Sequence, residues 1–130
     1  MSDKIFPKPT EAELEILQVL WENGPSTVRF VNDELSKRKE VGYTTTLKIM
    51  QIMHEKKGLL TRNADNRSHV YEPAMPQAET QQNLLNNFVD NVFSGSAMNL
   101  VMQALGHHRA SKDELEQIKA LIAKIEKSED

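Results

Sequence analysis

The segment from Gly42 to Met53 constrains the fold of this chain more than any other, because its residues separate onto two faces of a helix. A stripe with the i, i+3, i+4, i+7 spacing of a buried face comprises Thr46, Ile49, Met50 and Met53. The opposite, polar face comprises Thr44, Lys48 and Gln51, with Thr45 on its flank. Hydroxyl, amide and ammonium groups in the first turns of a helix suit phosphate oxygens and base edges. The alternative is that this polar face is simply the solvated side of an ordinary amphipathic helix. The neighbouring segments distinguish the two interpretations.

Two further helices are predicted before this segment. Thr10 and Glu13 have the spacing of a capping box at the start of the first helix. The helix is predicted to end at Asn23-Gly24-Pro25. The residues expected to be buried in this helix are Leu14, Leu17, Leu20 and Trp21. The second helix is predicted to begin at Ser26 or Thr27 and to fray in the charged run 37–40. Its expected buried residues are Val28, Val31 and Leu35.

A hairpin is predicted after the third helix, which spans residues 44–57 and is followed by Gly58 as its stop signal. The two short strands of the hairpin, 59–63 and 68–72, flank a turn at residues 64–67. Three helices and a hairpin in this order are typical of a winged helix-turn-helix, whose third helix enters the major groove of DNA. Arg62 and Arg67 lie on the hairpin, where a basic side chain reaches an adjacent phosphate or the minor groove.

The chain is predicted to divide near residues 73–76 into a winged-helix DNA-binding domain, 1–75, and a helical dimerisation region, 76–130. The expected fold class is therefore mostly α. The second region is predicted to contain helices over 77–93 and 97–105 and a third that starts at a capping box, Ser111 to Glu114. Apolar stripes mark the first and last of these helices, and their candidate dimerisation residues are Leu84, Phe88, Leu115, Ile118, Ile122 and Ile125.

Pairing with a second copy of the chain is predicted from the size of the second region. Its 55 residues make a thin core for three helices. The last four candidates alternate three and four residues apart, which is the spacing of a helix–helix seam. Packing of the last helix within its own chain is the alternative.

Composition limits the chemistry that the chain could perform. The absence of cysteine excludes disulfides, thiolate metal sites and a cysteine nucleophile. Neither a P-loop nor a G-x-S-x-G motif occurs, and His107-His108 is interpreted as a solvated helix end, so no catalytic, cofactor or metal site is predicted. No signal peptide or long apolar run is recognised, so we expect a cytoplasmic protein without membrane insertion. Residues 27–72 contain nine Lys/Arg and six Asp/Glu, which is compatible with nucleic-acid contact.

Several phrases of the sequence resemble the penicillinase repressor family. They are TEAELEIL at 10–17, LW at 20–21, GYTT at 42–45, KGLLTR at 57–62 and RSHVY at 67–71. The similarity is close over residues 10–73 and extends over 77–126 in pattern. Two departures stand out. The end of the third helix is one residue longer than the usual family phrase, within Lys56-Lys57, and the cysteine pairs of copper-responsive members are absent, which excludes a copper-thiolate switch.

The resemblance implies a homodimeric transcriptional repressor that binds a palindromic operator in double-stranded DNA. Carried over by position, the groove-facing residues are Thr44, Thr45, Lys48 and Gln51, and Arg67 lies on the wing. In beta-lactam-responsive members a membrane sensor-protease cuts the dimerisation region, and the corresponding bond here is Gln103-Ala104. A winged-helix module that binds a protein instead of DNA is the alternative, because residues 1–75 contain eleven residues of each charge.

Overall fold

The computed structural model describes residues 7–63, 68–107 and 110–128. The chain forms two compact units, the first ending at Leu84 and the second beginning at Leu85. This division lies inside a helix, α4 (Gln77–Val92), and the functional domains 1–75 and 76–130 stay a prediction.

Three helices and a small sheet precede α4 in the first unit. They are α1 (Glu11–Asn23), β1 (Ser26–Thr27), α2 (Val28–Ser36), α3 (Tyr43–Glu55), β2 (Leu60–Asn63) and β3 (Val70–Pro73). The strands are antiparallel in the order β1-β3-β2, and β2 and β3 form the wing. The predicted mostly α, winged helix-turn-helix fold is confirmed.

The start of α2 differs from the sequence prediction. Ser26 and Thr27 are not helical but form β1, which pairs with Tyr71 and Val70 of β3. Thr27 then caps α2, because its hydroxyl accepts a hydrogen bond of 3.1 Å from the N–H of Phe30. The strand depends on β3, more than forty residues later in the chain, so local propensity does not reveal it.

The end of α3 also differs, since the helix stops at Glu55 rather than at residue 57. Gly58 adopts a φ of 67°, which a glycine tolerates without steric cost. The chain therefore reverses, and the N–H of Leu59 donates to the carbonyl of Met53 at 2.8 Å. This turn leads directly into the wing.

The buried face of α1 is rotated relative to the prediction. Leu17 and Leu20 are buried as expected, but Leu14 and Trp21 are only half-buried and pack at the edge of the core. Because α1 packs against α2, α3 and β3 together, its buried face is wider than a single stripe. The core of the first unit comprises Ile16, Leu17, Val19, Leu20, Val28, Val31, Met50, Met53, Leu59, Leu60 and Tyr71.

The second unit contains the end of α4 and two further helices, α5 (Ala97–Gly106) and α6 (Lys112–Ser128). The predicted capping box of α6 is present: the Ser111 N–H donates to the Glu114 carboxylate at 2.8 Å, and the Glu114 N–H donates to the Ser111 hydroxyl at 3.1 Å. Neither α5 nor α6 has a buried residue among those described. Most of the large apolar side chains of these two helices are therefore in contact with solvent.

Candidate nucleic-acid interface

Helix α3 separates its side chains as the sequence predicts. Thr46, Met50 and Met53 are completely buried, whereas Ile49 is half-buried at the edge of the core. The outward side consists of Thr44, Thr45 and Lys48, which are exposed, and Gln51, which is half-buried. Gly42 is the N-cap, and no described side chain caps this end of the helix. The first backbone N–H groups of α3 therefore lie open beside two threonine hydroxyls.

A buried hydrogen-bond network fixes α3 against α2. Asn32, which is 8% exposed, donates through Nδ2 to the Thr46 hydroxyl at 2.9 Å and to the Val41 carbonyl at 2.8 Å. Both amide hydrogens of Asn32 are thus paired inside the core, as buried polar groups require. The network therefore links α3 and the preceding loop to α2.

The far end of α3 is attached to α1 by an ion pair. The Lys57 ammonium contacts the Glu13 carboxylate at 2.8 Å and 2.9 Å, one contact to each oxygen. Glu13 also accepts a hydrogen bond from the N–H of Thr10 at 2.9 Å, so the predicted capping box of α1 is present. Lys57 lies in the short segment between the end of α3 and the first strand of the wing. The ion pair therefore holds the link between α3 and the wing.

A groove lies beside α3, between the start of α2 and the wing. Its lining residues are Thr27, Val28, Arg29, Tyr43, Leu47, Gln51, Arg62, Ser68, His69 and Tyr71. We call it the basic groove, because two arginines line it and none of its described lining residues is acidic. Arg62 pairs with the buried Tyr71 in the β2–β3 register, which turns its side chain toward α3.

Arg29 and Tyr43 are in direct contact within the basic groove. The guanidinium carbon of Arg29 lies 4.8 Å from the centroid of the Tyr43 ring, within the range of a cation–π interaction. Tyr43 is 39% exposed, and Arg29 is exposed as well. No carboxylate pairs with this guanidinium in the part of the chain that the structure describes. The positive charge of Arg29 is therefore available to an anion.

The structure places the predicted interface residues in two groups. Gln51 and Arg62 come together in the basic groove, although they belong to α3 and β2. Thr44, Thr45 and Lys48 lie on the outward surface of α3, outside the groove lining. Arg67 lies outside the described residues. The roles of all six in DNA binding stay predictions.

Arg29 and Tyr43 are not among the interface residues that the sequence predicts. Fourteen positions separate them in the chain, so only the packing of α2 against α3 brings them together. One local signal was present: Arg29 lies in the first turn of α2, where the helix dipole disfavours a cation. A basic residue in that position suggests that it serves an external partner.

The candidate dimerisation residues remain largely uncovered in the single chain. Phe88, Leu115, Ile122 and Ile125 are 39–51% exposed, while Leu84 and Ile118 are half-buried. The Phe88 and Phe93 rings are 5.7 Å apart in an edge-to-face arrangement. Gln103 and Ala104, the candidate protease site, are exposed and lie within α5.

None of the described helices is both long enough and apolar enough to cross a membrane. Likewise, within 7–63, 68–107 and 110–128 no group of three or more His, Cys, Asp or Glu side chains is arranged to hold a metal ion.

Comparisons with known proteins find repressors that are similar to this chain in sequence. The penicillinase repressor of Bacillus licheniformis is 25% identical over 115 residues, covering 88% of this chain and 89% of that protein. The transcriptional regulator BlaI of Mycobacterium tuberculosis is 29% identical over 119 residues, covering 89% of this chain and 83% of that protein. A solution structure of the DNA-binding domain of the repressor BlaI is 30% identical and gives a TM-score of 0.49, covering 58% of this chain and 92% of that one.

The three-helix core and the β2–β3 wing together are the architecture of a winged-helix protein. The sequence model of the penicillinase repressor family matches residues 9–124, so the chain belongs to that family. Its class is therefore that of a transcriptional repressor rather than an enzyme.

Proposed function

We propose that this protein is a homodimeric repressor that binds a palindromic operator in double-stranded DNA through α3 and the wing. The observation that supports this most directly is the two-sided α3. Three buried side chains, Thr46, Met50 and Met53, fix the helix, while Thr44, Thr45 and Lys48 extend from its outward surface. A helix presented in this way fits the major groove of B-DNA.

Each outward residue suits a different part of the duplex. The open N–H groups at the start of α3, with the hydroxyls of Thr44 and Thr45, suit a phosphate. Lys48 suits a second phosphate or a guanine, and the amide of Gln51 can form two hydrogen bonds with one adenine base. Arg62 of the wing, and Arg67 from the sequence that follows it, would contact the neighbouring backbone or minor groove.

Dimerisation is proposed from the apolar surface of the second unit. Large apolar side chains are rarely left uncovered together on a stable monomer, and Ile122 and Ile125 are each about half exposed in the isolated chain. A second copy that packs against α6 would cover them. Two winged helices linked in this way would bind two half-sites one helical turn apart far more tightly than separate ones.

Relief of repression is proposed to occur in the cytoplasm by proteolysis near Gln103-Ala104, with a membrane sensor-protease as the partner. Family membership supports this proposal, as does the exposure of both residues in α5. A cut between residues 100 and 106 would separate α6 and its apolar residues from the winged helix. Operator affinity would then fall because the two DNA-binding units are no longer linked.

Gel-shift titration tests the central proposal. The probes are a duplex from the region upstream of the protein's own gene and a random duplex of equal length, each at several salt concentrations. We expect tighter binding to the first duplex and a fall in log K with log salt, with Lys48→Ala lowering the slope by about 1. Lys127→Ala at the end of α6 is the matched control and should leave the slope unchanged.

The alternative function has its own outcome in this experiment. If the intact dimer shifted neither duplex at low salt, the proposal of DNA binding would be wrong, and a protein-interaction module would remain as the alternative function. If both duplexes bound equally well, the protein would bind DNA but the chosen region would not contain its operator. A selection from a random-sequence library would then identify the operator.

A further inference from the structure

Tyr43 lies at the edge of the basic groove, with Arg29 above its ring. We infer that Tyr43 is a positioning residue for DNA binding: its ring holds the Arg29 guanidinium where that group binds a DNA phosphate. This inference rests on the proposed function and adds to it a contact made from α2, outside α3 and the wing.

The contact restricts an otherwise mobile side chain. A free arginine samples many rotamers, and fixing it at the moment of binding costs conformational entropy. The Arg29 guanidinium already lies 4.8 Å from the ring centroid, so the ring limits its motion before DNA arrives. A flat guanidinium over a ring keeps its N–H groups free at the edges, where two of them can bind one phosphate.

The surroundings of Arg29 favour an anion with the geometry of a nucleic-acid backbone. Arg62 lines the same groove from the wing, and His69 lines it from the position just before β3. Gln51, on the groove-facing side of α3, lies between these groups and the outward surface that carries Lys48. A duplex with α3 in its major groove would therefore bring a backbone strand along the groove, next to Arg29.

The experiment compares two substitutions of the ring. Tyr43→Phe keeps the aromatic face and removes only the hydroxyl, whereas Tyr43→Leu removes the face and keeps apolar volume. Each is made in the full-length protein with Arg29 intact and with Arg29→Gln. Affinity is measured at several salt concentrations on the upstream duplex and on the random duplex of equal length.

We expect Arg29→Gln to weaken binding to both duplexes by similar factors and to lower the salt slope by about 1, because a phosphate contact is independent of sequence. Tyr43→Phe should retain wild-type affinity. Tyr43→Leu should weaken binding by about two- to fivefold, the factor expected from an exposed cation–π contact. In the Arg29→Gln background, Tyr43→Leu should have no further effect.

This last result separates positioning from a structural role. If Tyr43→Leu weakened binding as much without Arg29 as with it, the ring would act on the fold of α3, and the inference would be wrong. Wild-type affinity and slope for Arg29→Gln would also overturn it, while leaving the repressor proposal intact. Failure of the wild-type protein to bind either duplex would instead overturn the proposed function, and the inference with it.

Discussion

At the scale of single residues, Glu13 is a buried carboxylate with two different partners, Thr10 and Lys57. Its side chain is 6% exposed, yet it carries a carboxylate that caps α1 and binds the Lys57 ammonium, whose side chain is 31% exposed. A buried carboxylate without a partner is unfavourable, so the two residues depend on each other. The pair connects the start of α1 to the turn between α3 and the wing.

Removing Lys57 should therefore cost more stability than removing both partners. We expect Lys57→Met to lower the free energy of unfolding by about 1–3 kcal/mol, because it leaves the Glu13 carboxylate buried without its cation. In Glu13→Gln/Lys57→Met the glutamine can still cap α1, so part of this loss should be recovered. Urea denaturation measures both variants.

Lys56→Met is the matched control, since Lys56 is the exposed neighbour of Lys57. It should change the free energy of unfolding by less than about 0.5 kcal/mol. A double variant as unstable as Lys57→Met would show that the unpaired carboxylate is not the cause.

At the scale of elements, the position of α3 depends on polar contacts inside an apolar core. Thr46 is fully buried in the stripe that anchors the helix, and its hydroxyl accepts a hydrogen bond from Asn32 of α2. Apolar packing alone would allow the two helices to slide, because apolar contacts have no preferred direction. The directed hydrogen bonds to Thr46 and Val41 restrict that freedom.

Thr46→Val tests this network, because valine keeps the shape of the side chain and removes the hydroxyl. One N–H of the Asn32 amide then lacks an acceptor, and we expect a loss of about 1–3 kcal/mol in the free energy of unfolding. Asn32→Leu/Thr46→Val removes both partners and should recover part of the loss. Unchanged stability of Thr46→Val, measured by urea denaturation, would contradict a structural role for the hydrogen bond.

The start of α6 should show its capping box in a pH titration. The hydrogen bond from the Ser111 backbone N–H, followed by that involving its side chain, lowers the pKa of Glu114 below its ordinary value. Because the folded pKa is lowered, this contribution to stability is present at pH values above the ordinary pKa and is lost as the pH falls through the folded pKa.

The pKa of Glu114 can be followed by NMR of its side-chain carboxyl carbon. The midpoint should lie below the ordinary glutamate value of 4.5. Ser111→Ala keeps the backbone N–H and removes the hydroxyl, so it should raise the midpoint only part of the way. A midpoint at or above the ordinary value in the wild-type protein would show that the box does not persist in solution.

At the scale of the whole molecule, the two units differ in how they are stabilised. The first has a continuous apolar core, whereas neither α5 nor α6 of the second has a buried residue among those described. The second unit therefore has little apolar burial of its own to offset the entropy of ordering its helices. Association with a second chain would supply that burial.

Ile122→Asp should dissociate the proposed dimer. A charge in an apolar seam costs several kcal/mol when it has no partner, on the order of the 2–7 kcal/mol for burying unpaired polar groups. Sedimentation should show monomer at concentrations where the wild-type protein is dimeric, and operator affinity should fall with it. Ala120→Asp adds the same charge about 200° away around the helix and is the matched control.

A dimer that survived Ile122→Asp would relocate the seam to the Leu84–Val92 face of α4. Equal dissociation by Ala120→Asp would instead indicate that added charge destabilises α6 itself.

Induction should leave a cleaved repressor. We expect mass spectrometry of protein from induced cells to detect a fragment that ends between residues 100 and 106, with the winged helix intact. A protease needs an extended substrate, and α5 has no buried residue in its described span to oppose local unfolding. Full-length protein that persisted after complete derepression would rule out proteolysis and indicate a reversible effector.

The sequence by itself determined the order of the helices and of the β2–β3 hairpin, and most of the α3 surface. Periodicity placed Thr46, Met50 and Met53 in the core and left Lys48 outside, because a helix repeats every 3.6 residues wherever it lies. Both capping boxes were also predictable, because a Ser or Thr three residues before a Glu can pair with the exposed backbone N–H groups at the start of the same helix. Each of these features depends only on neighbours in the chain.

Tertiary structure alone decided the contacts between residues distant in the chain. Three contacts join segments 14 to 45 positions apart: the pairing of Ser26-Thr27 with β3, the ion pair between Glu13 and Lys57, and the cation–π contact of Arg29 with Tyr43. No local pattern encodes such a pair, because the two partners meet only after the helices have packed. The residues that the sequence analysis missed at the basic groove are of this kind, since that groove exists only where α2, α3 and the wing converge.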